Sequence, residues 1–162
     1  MSDASVSHVQ QRFARFRVEH ASGFLLRHAV RLYNAVLQRR LDGLECATGQ
    51  YPILLFLWEK DGLTEKDLGR KARISQPTLV RTLDRMVAAG LIRRRRSKSD
   101  KRAVEVRLTK KARDRQMALI DAGMAVEDHA LAGLSANERA VFNDLLCRVV
   151  ENLEASGDRH AV

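Results

Sequence analysis

Between residues 93 and 111 the chain carries Arg93, Arg94, Arg95, Arg96, Lys98, Lys101, Arg102, Arg107, Lys110 and Lys111, against only Asp100 and Glu105 as acids. Charge of one sign at that density cannot be taken into a protein interior, so the segment needs either water or a polyanion against it. It follows directly on ISQPTLVRTLDRMVAAG, residues 74–90, which has the marks of a short helix: Ser75 at the cap, Pro77 in the first turn and Gly90 as the stop. Beyond Gly90, Leu91-Ile92 and Val104-Glu105-Val106-Arg107-Leu108 read as β-type flanks around a polar tip at residues 97–102. A helix is therefore followed by a hairpin with a basic loop.

Upstream, Thr64 with Asp67 three residues later is a variant of the capping box and opens the helix TEKDLGRKA. Arg73-Ile74-Ser75 is the turn that joins it to the next helix, and two short helices so joined form a helix-turn-helix. With the basic hairpin added, this is the makeup of a winged helix. On the second helix Leu79, Leu83, Met86 and Val87 share one face and are expected to dock, while Thr78, Arg81, Arg85 and Ala88 lie opposite. Placed in a major groove, Arg81 can bond guanine, Gln76 can pair with adenine, and Pro77 or Thr78 can touch a thymine methyl. A thin loop with a flexible guanidinium suits the minor groove, which makes Arg102 the expected insertion and Asp100 the residue that holds Arg102 or the loop. Ser75, Arg85, Arg94, Arg96, Lys98 and Lys101 complete the candidate contacts, with a solvated face as the bland reading of the arginine run.

The rest of the chain supports that reading. A net charge of +9, from 29 Lys+Arg against 20 Asp+Glu and concentrated at the centre, puts nucleic acid ahead of an anionic membrane as partner. No apolar run approaches the ~20 residues of a membrane span, and MSDASVSHVQQ lacks the apolar core of a signal peptide, so the expected location is cytoplasmic. Residues 13–41 show helical spacing (Phe16, Phe24, His28, Leu32, Val36, with Leu25 and Tyr33 alongside), and Gly43 supplies the stop. The apolar run from Tyr51 to Trp58 reads as a short buried helix. Thr109 begins a further helix through residue 131, and Ser135 with Glu138 caps a last one striped by Val141, Phe142, Leu145, Val149 and Leu153.

The expected fold class is mainly α with a small β component. The expected organisation is a flexible start (1–12), a helical dimerisation region (13–45 and 110–154), a winged lobe (46–109) and a flexible tail (155–162). The terminal helices carry more apolar surface than one small winged domain covers, so a homodimer is expected through Phe16, Phe142, Leu145, Val149 and Leu153.

Catalysis finds no support: there is no glycine-rich phosphate loop, no HExxH and no nucleophile elbow, and the five histidines are scattered. Glu127-Asp128-His129 diverge around a helix and do not converge on one ion, so neither metal nor cofactor is expected. Cys46 and Cys147 are far apart and read as ordinary reduced residues. Three regulatory or architectural alternatives stay open: redox sensing, metal sensing, and non-specific DNA coating.

The residues from Leu68 to Thr109, with SQPTLVRTLDRMVAAGLIRR, the tip Asp100-Lys101-Arg102 and the closing Leu108-Thr109, resemble the MarR family of winged-helix regulators, its SlyA-like branch in particular. The flanking helices agree in number and order. The resemblance implies an obligate homodimer with interlaced terminal helices and two lobes on a pseudo-palindromic site. It implies recognition contacts from Ser75, Gln76, Pro77, Thr78 and Arg81, with Arg102 as minor-groove arginine and Asp100 as its partner. It also implies repression relieved by a small aromatic acid or phenol, for which Phe24, His28, Tyr51 and Trp58 are candidate walls and Arg27 or Arg31 the carboxylate partner.

Overall fold

The computed structural model describes residues 18–97, 100 and 102–157. A turn of 3₁₀ helix at Val18–His20 leads into α1 (Ser22–Leu41), followed by α2 (Tyr51–Glu59), β1 (Leu63–Thr64), α3 (Glu65–Ala72), α4 (Gln76–Ala88), β2 (Ile92–Arg96), β3 (Val104–Leu108), α5 (Lys110–Asp114), α6 (Gln116–Ala130) and α7 (Ala136–Gly157). The chain is mainly helical with one small sheet, as its periodicities suggest. Internal contacts divide it into two units, one ending at Val126 and one beginning at Glu127.

The first unit is built on one core. Leu54 and Leu57 from α2, Leu68 from α3, Leu79, Leu83 and Met86 from α4, and Val106 from the sheet are fully buried together. Burying each such side chain contributes roughly 1.5–3 kcal/mol, which fixes α4 against α3 and the sheet. Thr82 joins this inner face, its hydroxyl donating to the Thr78 carbonyl at 2.9 Å, whereas Val87, expected there, is exposed. A buried hydroxyl bonded to the preceding turn is compatible with the core in a way that an apolar pattern does not reveal.

The sheet has three antiparallel strands in the order β1-β3-β2. β1 goes beyond the expected hairpin. Two residues are too short for an alternating pattern, yet Leu63 pairs with Val106 and Thr64 with Glu105, so the hairpin is tied to the start of α3. Thr64 also caps α3, accepting from the Asp67 backbone N–H at 3.1 Å. The arginine run belongs to β2 and not to a loop: Arg93, Arg94, Arg95 and Arg96 pair with Arg107, Val106, Glu105 and Val104.

Two expected long helices are interrupted. The described part of the first consists of the 3₁₀ turn at Val18–His20, an extended Ala21 (φ −68°, ψ 124°) and α1, whose opening turn holds the weak helix formers Ser22 and Gly23. The helix after Thr109 breaks at Arg115, whose guanidinium is drawn to the loop after α1, donating to the Leu44 carbonyl at 3.1 Å and pairing with Glu45 at 2.8 Å. Glu45 itself adopts a left-handed backbone (φ 50°) and also holds Lys111 at 2.7 Å. The Arg115 and Lys111 cations keep its carboxyl down at about 2.

In the second unit, Ser135 and Glu138 form the expected capping box. The Glu138 carboxylate accepts from the Ser135 N–H at 2.8 Å, and the Ser135 hydroxyl accepts from the Glu138 N–H at 3.3 Å. The Ser135 hydroxyl, which donates to the Glu138 carboxylate at 2.7 Å, and then the Ser135 N–H hold that carboxyl below its usual range.

Candidate nucleic-acid interface

The turn between α3 and α4 runs through Arg73, which takes up a left-handed conformation (φ 52°). A non-glycine residue there costs of order 1 kcal/mol or more, a cost the packing of Leu68 against Leu79 and its neighbours can carry. α4 then begins at Ser75, whose backbone is in the N-cap conformation. Its side chain does not cap; the hydroxyl instead lies 3.0 Å from the Thr78 hydroxyl. The first-turn N–H groups of α4 are thus left without that side-chain acceptor, on the edge expected to meet a phosphate.

Because Leu79, Thr82, Leu83 and Met86 take the inner face, Ser75, Gln76, Pro77, Thr78, Arg81 and Arg85 all fall on the exposed one. Arg85 folds back along the helix, its Nε donating to the Arg81 carbonyl at 3.3 Å. Among the described residues Arg81 has no acidic partner, so its guanidinium extends from a rigid helix into solvent.

The hairpin tip is shaped by Asp100. Its Oδ1 accepts from the Arg102 backbone N–H at 2.9 Å, and its carbonyl accepts from the Ala103 N–H at 2.9 Å. Asp100 therefore holds the loop through the main chain of Arg102, and the exposed Arg102 guanidinium makes no ion pair among the described residues. Lys98 and Lys101, expected to contribute here, lie outside the described residues, as does Phe16.

The arginines of β2 are not equivalent. Arg93 and Arg96 are exposed. Arg93 stands opposite Arg107, whose charge is met by Glu105 at 2.7 Å. Ser97 first, and then Arg107, hold the Glu105 carboxyl below its usual range. Arg94, expected among the DNA contacts, is engaged by the protein: its Nε donates to Glu65 at 2.6 Å and another guanidinium N–H to Asp84. Sequence reading missed these two acids. The signal that could have found Asp84 is an isolated carboxylate on the otherwise basic outer side of α4.

A sequence profile described as MarR family matches residues 48–104. The HTH-type transcriptional regulator TtmR of Methylorubrum extorquens is 31% identical over 146 residues, 88% of this chain and 67% of that protein. A MarR-family transcriptional regulator from Silicibacter pomeroyi has a crystal structure that superposes with a TM-score of 0.71 at 32% identity, over 86% of this chain and 94% of that one. The chain belongs to the MarR family. It is a DNA-binding transcriptional regulator and not an enzyme. A cysteine-to-serine mutant of MarR from E. coli, solved in complex with operator DNA, is 25% identical with a TM-score of 0.72, covering 78% of this chain and 91% of that one.

The residues considered for a MarR-type effector fall into two groups. Phe24, His28 and Arg31 come together on the exposed side of α1: the rings of Phe24 and His28 stack at 5.9 Å and 6°, and Arg31 lies 3.0 Å from the His28 Nδ1. Arg27 is exposed on the same helix. Tyr51 and Trp58 pack instead against the core of the first unit. The Tyr51 ring lies on Gly123 so closely that a Cβ there would stand 1.8 Å from its hydroxyl, and the Trp58 Nε1 is buried with no hydrogen-bond partner. Cys46 is buried, and burial pushes its thiol up to about 11, away from the thiolate a redox sensor needs.

Proposed function

We propose that this MarR-family protein is a homodimeric repressor. In this reading α4 of each subunit enters a major groove of a pseudo-palindromic operator, and each wing tip enters a flanking minor groove. The observation that carries it is the division of α4, with Leu79, Thr82, Leu83 and Met86 buried and Gln76, Thr78 and Arg81 presented together on a rigid outer face. Arg81 reads a base edge, the α4 N-terminus and the exposed β2 arginines meet phosphates, and Arg102 enters the narrow groove from a loop that Asp100 pre-shapes. The operator-bound E. coli relative supports the same use of the fold.

The dimer rests on α7, where none of residues 136–156 is buried and the stripe of Phe142, Leu145, Val149 and Leu153 is open. Residues 13–45 and 110–154 are assigned to that dimerisation region and 46–109 to the reading lobe. The effector is assigned to the small aromatic acids and phenols, because the stacked Phe24–His28 pair beside Arg31 offers a ring surface next to a cation. A cytoplasmic location follows from this role, and no helix of the described residues is long and apolar enough to cross a membrane. A redox switch at Cys46 is the weaker reading, since that thiol is buried and stays protonated.

Selection of bound fragments from genomic DNA, followed by footprinting with and without a panel of aromatic carboxylates and phenols, tests this. The expected footprint is an inverted repeat with half-sites ~34–36 Å apart. Effector and DNA should weaken each other by the same factor, a coupling of ~1–3 kcal/mol. Fragments that share no sequence, bound no better than random DNA, would make the protein a coater and not a regulator of chosen sites.

A further inference from the structure

Arg94 occupies a singular position in the reading lobe. It sits in the middle of β2, and its guanidinium reaches both helices of the helix-turn-helix at once. The Nε donates to Glu65 Oε1 at 2.6 Å, at the first residue of α3. One terminal N–H donates to the Asp84 carboxylate, and the other reaches the Val80 carbonyl at 3.5 Å, both on α4. Behind it, Arg94 is paired across the sheet with Val106, which is paired in turn with Leu63 of β1. A planar fork with fixed donor directions can hold three acceptors in one arrangement, which the single ammonium of lysine cannot reproduce.

We infer that Arg94 is a positioning residue for DNA recognition, a clamp that sets the wing against the recognition helix so that Arg102 and Arg81 meet adjacent grooves together. β2 is an edge strand, joined in the sheet only to β3, and a guanidinium tied to α3 and α4 fixes the middle of that edge against both helices. This inference rests on the reading of α4 and the wing as the DNA-contacting elements.

Electrostatics alone makes the opposite forecast. Glu65 and Asp84 put two negative charges beside a surface that meets phosphates, so deleting either should strengthen binding to any DNA and release Arg94 to add a contact. As members of a clamp, the same deletions weaken binding to the preferred sequence.

The test uses the full-length protein and two duplexes of equal length, one selected by the unsubstituted protein from a random-sequence library and one scrambled. Asp84→Ala and Glu65→Ala should each lower affinity for the selected duplex by about tenfold, in the range found for residues acting through one network, and leave the scrambled duplex bound as well or better. In an Arg94→Lys background the loss caused by Arg102→Ala should shrink, because a wing already out of place has little left to lose. Thermal melting of each variant reports folding. Should Arg94→Lys melt early, the two carboxylate deletions carry the test, since they leave the arginine in place. Equal or tighter binding of both duplexes by Asp84→Ala and Glu65→Ala overturns the clamp, as do Arg94→Lys and Arg102→Ala effects that simply multiply. If Arg102→Ala alone costs nothing on the selected duplex, the reading of the wing falls and this inference falls with it.

Discussion

α4 and α7 are both helices with an apolar stripe, and they differ in where that stripe finds its complement. α4 buries Leu79, Thr82, Leu83 and Met86 within its own chain and turns polar residues outward. α7 is longer, and none of its residues 136–156 is buried, so Val141, Phe142, Leu145, Val149 and Leu153 are all open. The same periodicity thus has two meanings. In the reading lobe it makes a rigid platform from one chain, whereas in α7 it presents a face that only another surface can cover.

The largest effect is expected from Leu145→Asp. A charge in the middle of the α7 stripe should abolish the dimer and with it the folded protein, because obligate dimers seldom keep a stable monomer. Sedimentation together with circular dichroism checks this, and a folded monomer would show that α7 needs no partner. Gly123→Ala tests how completely the first unit is packed. The added methyl would collide with the Tyr51 hydroxyl, with the ring carbon behind it only 2.6 Å away, so backbone or ring must move. Overpacking of that kind costs ~1–3 kcal/mol, read as a lower Tm. The effect should shrink when Tyr51 is replaced by Leu in the same chain.

The smallest effect is a pH dependence. Glu45 titrates at about 2 in the folded protein, against an ordinary 4.5, chiefly through its hydrogen bond to Arg115 and then that to Lys111. A lowered carboxylate contributes stability above its unfolded pKa and loses it as the pH falls through the folded one. The contribution is therefore present at neutral pH and disappears between 4.5 and about 2. Glu45→Gln should flatten this part of the Tm profile. Glu138→Gln should do the same for the second unit, where Ser135 lowers the carboxyl.

Most of the fold was legible wherever a signal is local. The caps at Thr64, Thr109 and Ser135, the stop at Gly90, and the apolar faces of α2 and α4 are all set within a few residues of one another, and sequence displays such spacing directly. What escaped depends on distant partners. β1 exists because Leu63 and Thr64 meet β3, and α5 is separated from α6 where Arg115 reaches a loop far upstream. In the candidate site, the exposed face of α4 and the shaping of the tip by Asp100 followed from position alone. The occupation of Arg94 did not, because one arginine in a run of four differs from the others only through Glu65 and Asp84 across the fold. Likewise the sequence does not reveal that Tyr51 and Trp58 pack, half-buried, against the core of the first unit.

If α4 reads bases while the wing tip reads the minor groove, losing an arginine from each should fail in different ways. The most direct measurement is the affinity of Arg81→Ala and Arg102→Ala for the selected operator, and for its single-base variants, across a range of salt. Arg81→Ala should lose ~1–3 kcal/mol on the preferred base at one position in each half-site and little on the others. Arg102→Ala should weaken binding, reduce the preference for A·T-rich flanks and lower the magnitude of the salt slope by about one, as an inserted cation is lost. If Arg102→Ala leaves operator affinity and salt slope unchanged while Arg81→Ala weakens every sequence equally, the division of labour between helix and wing is wrong.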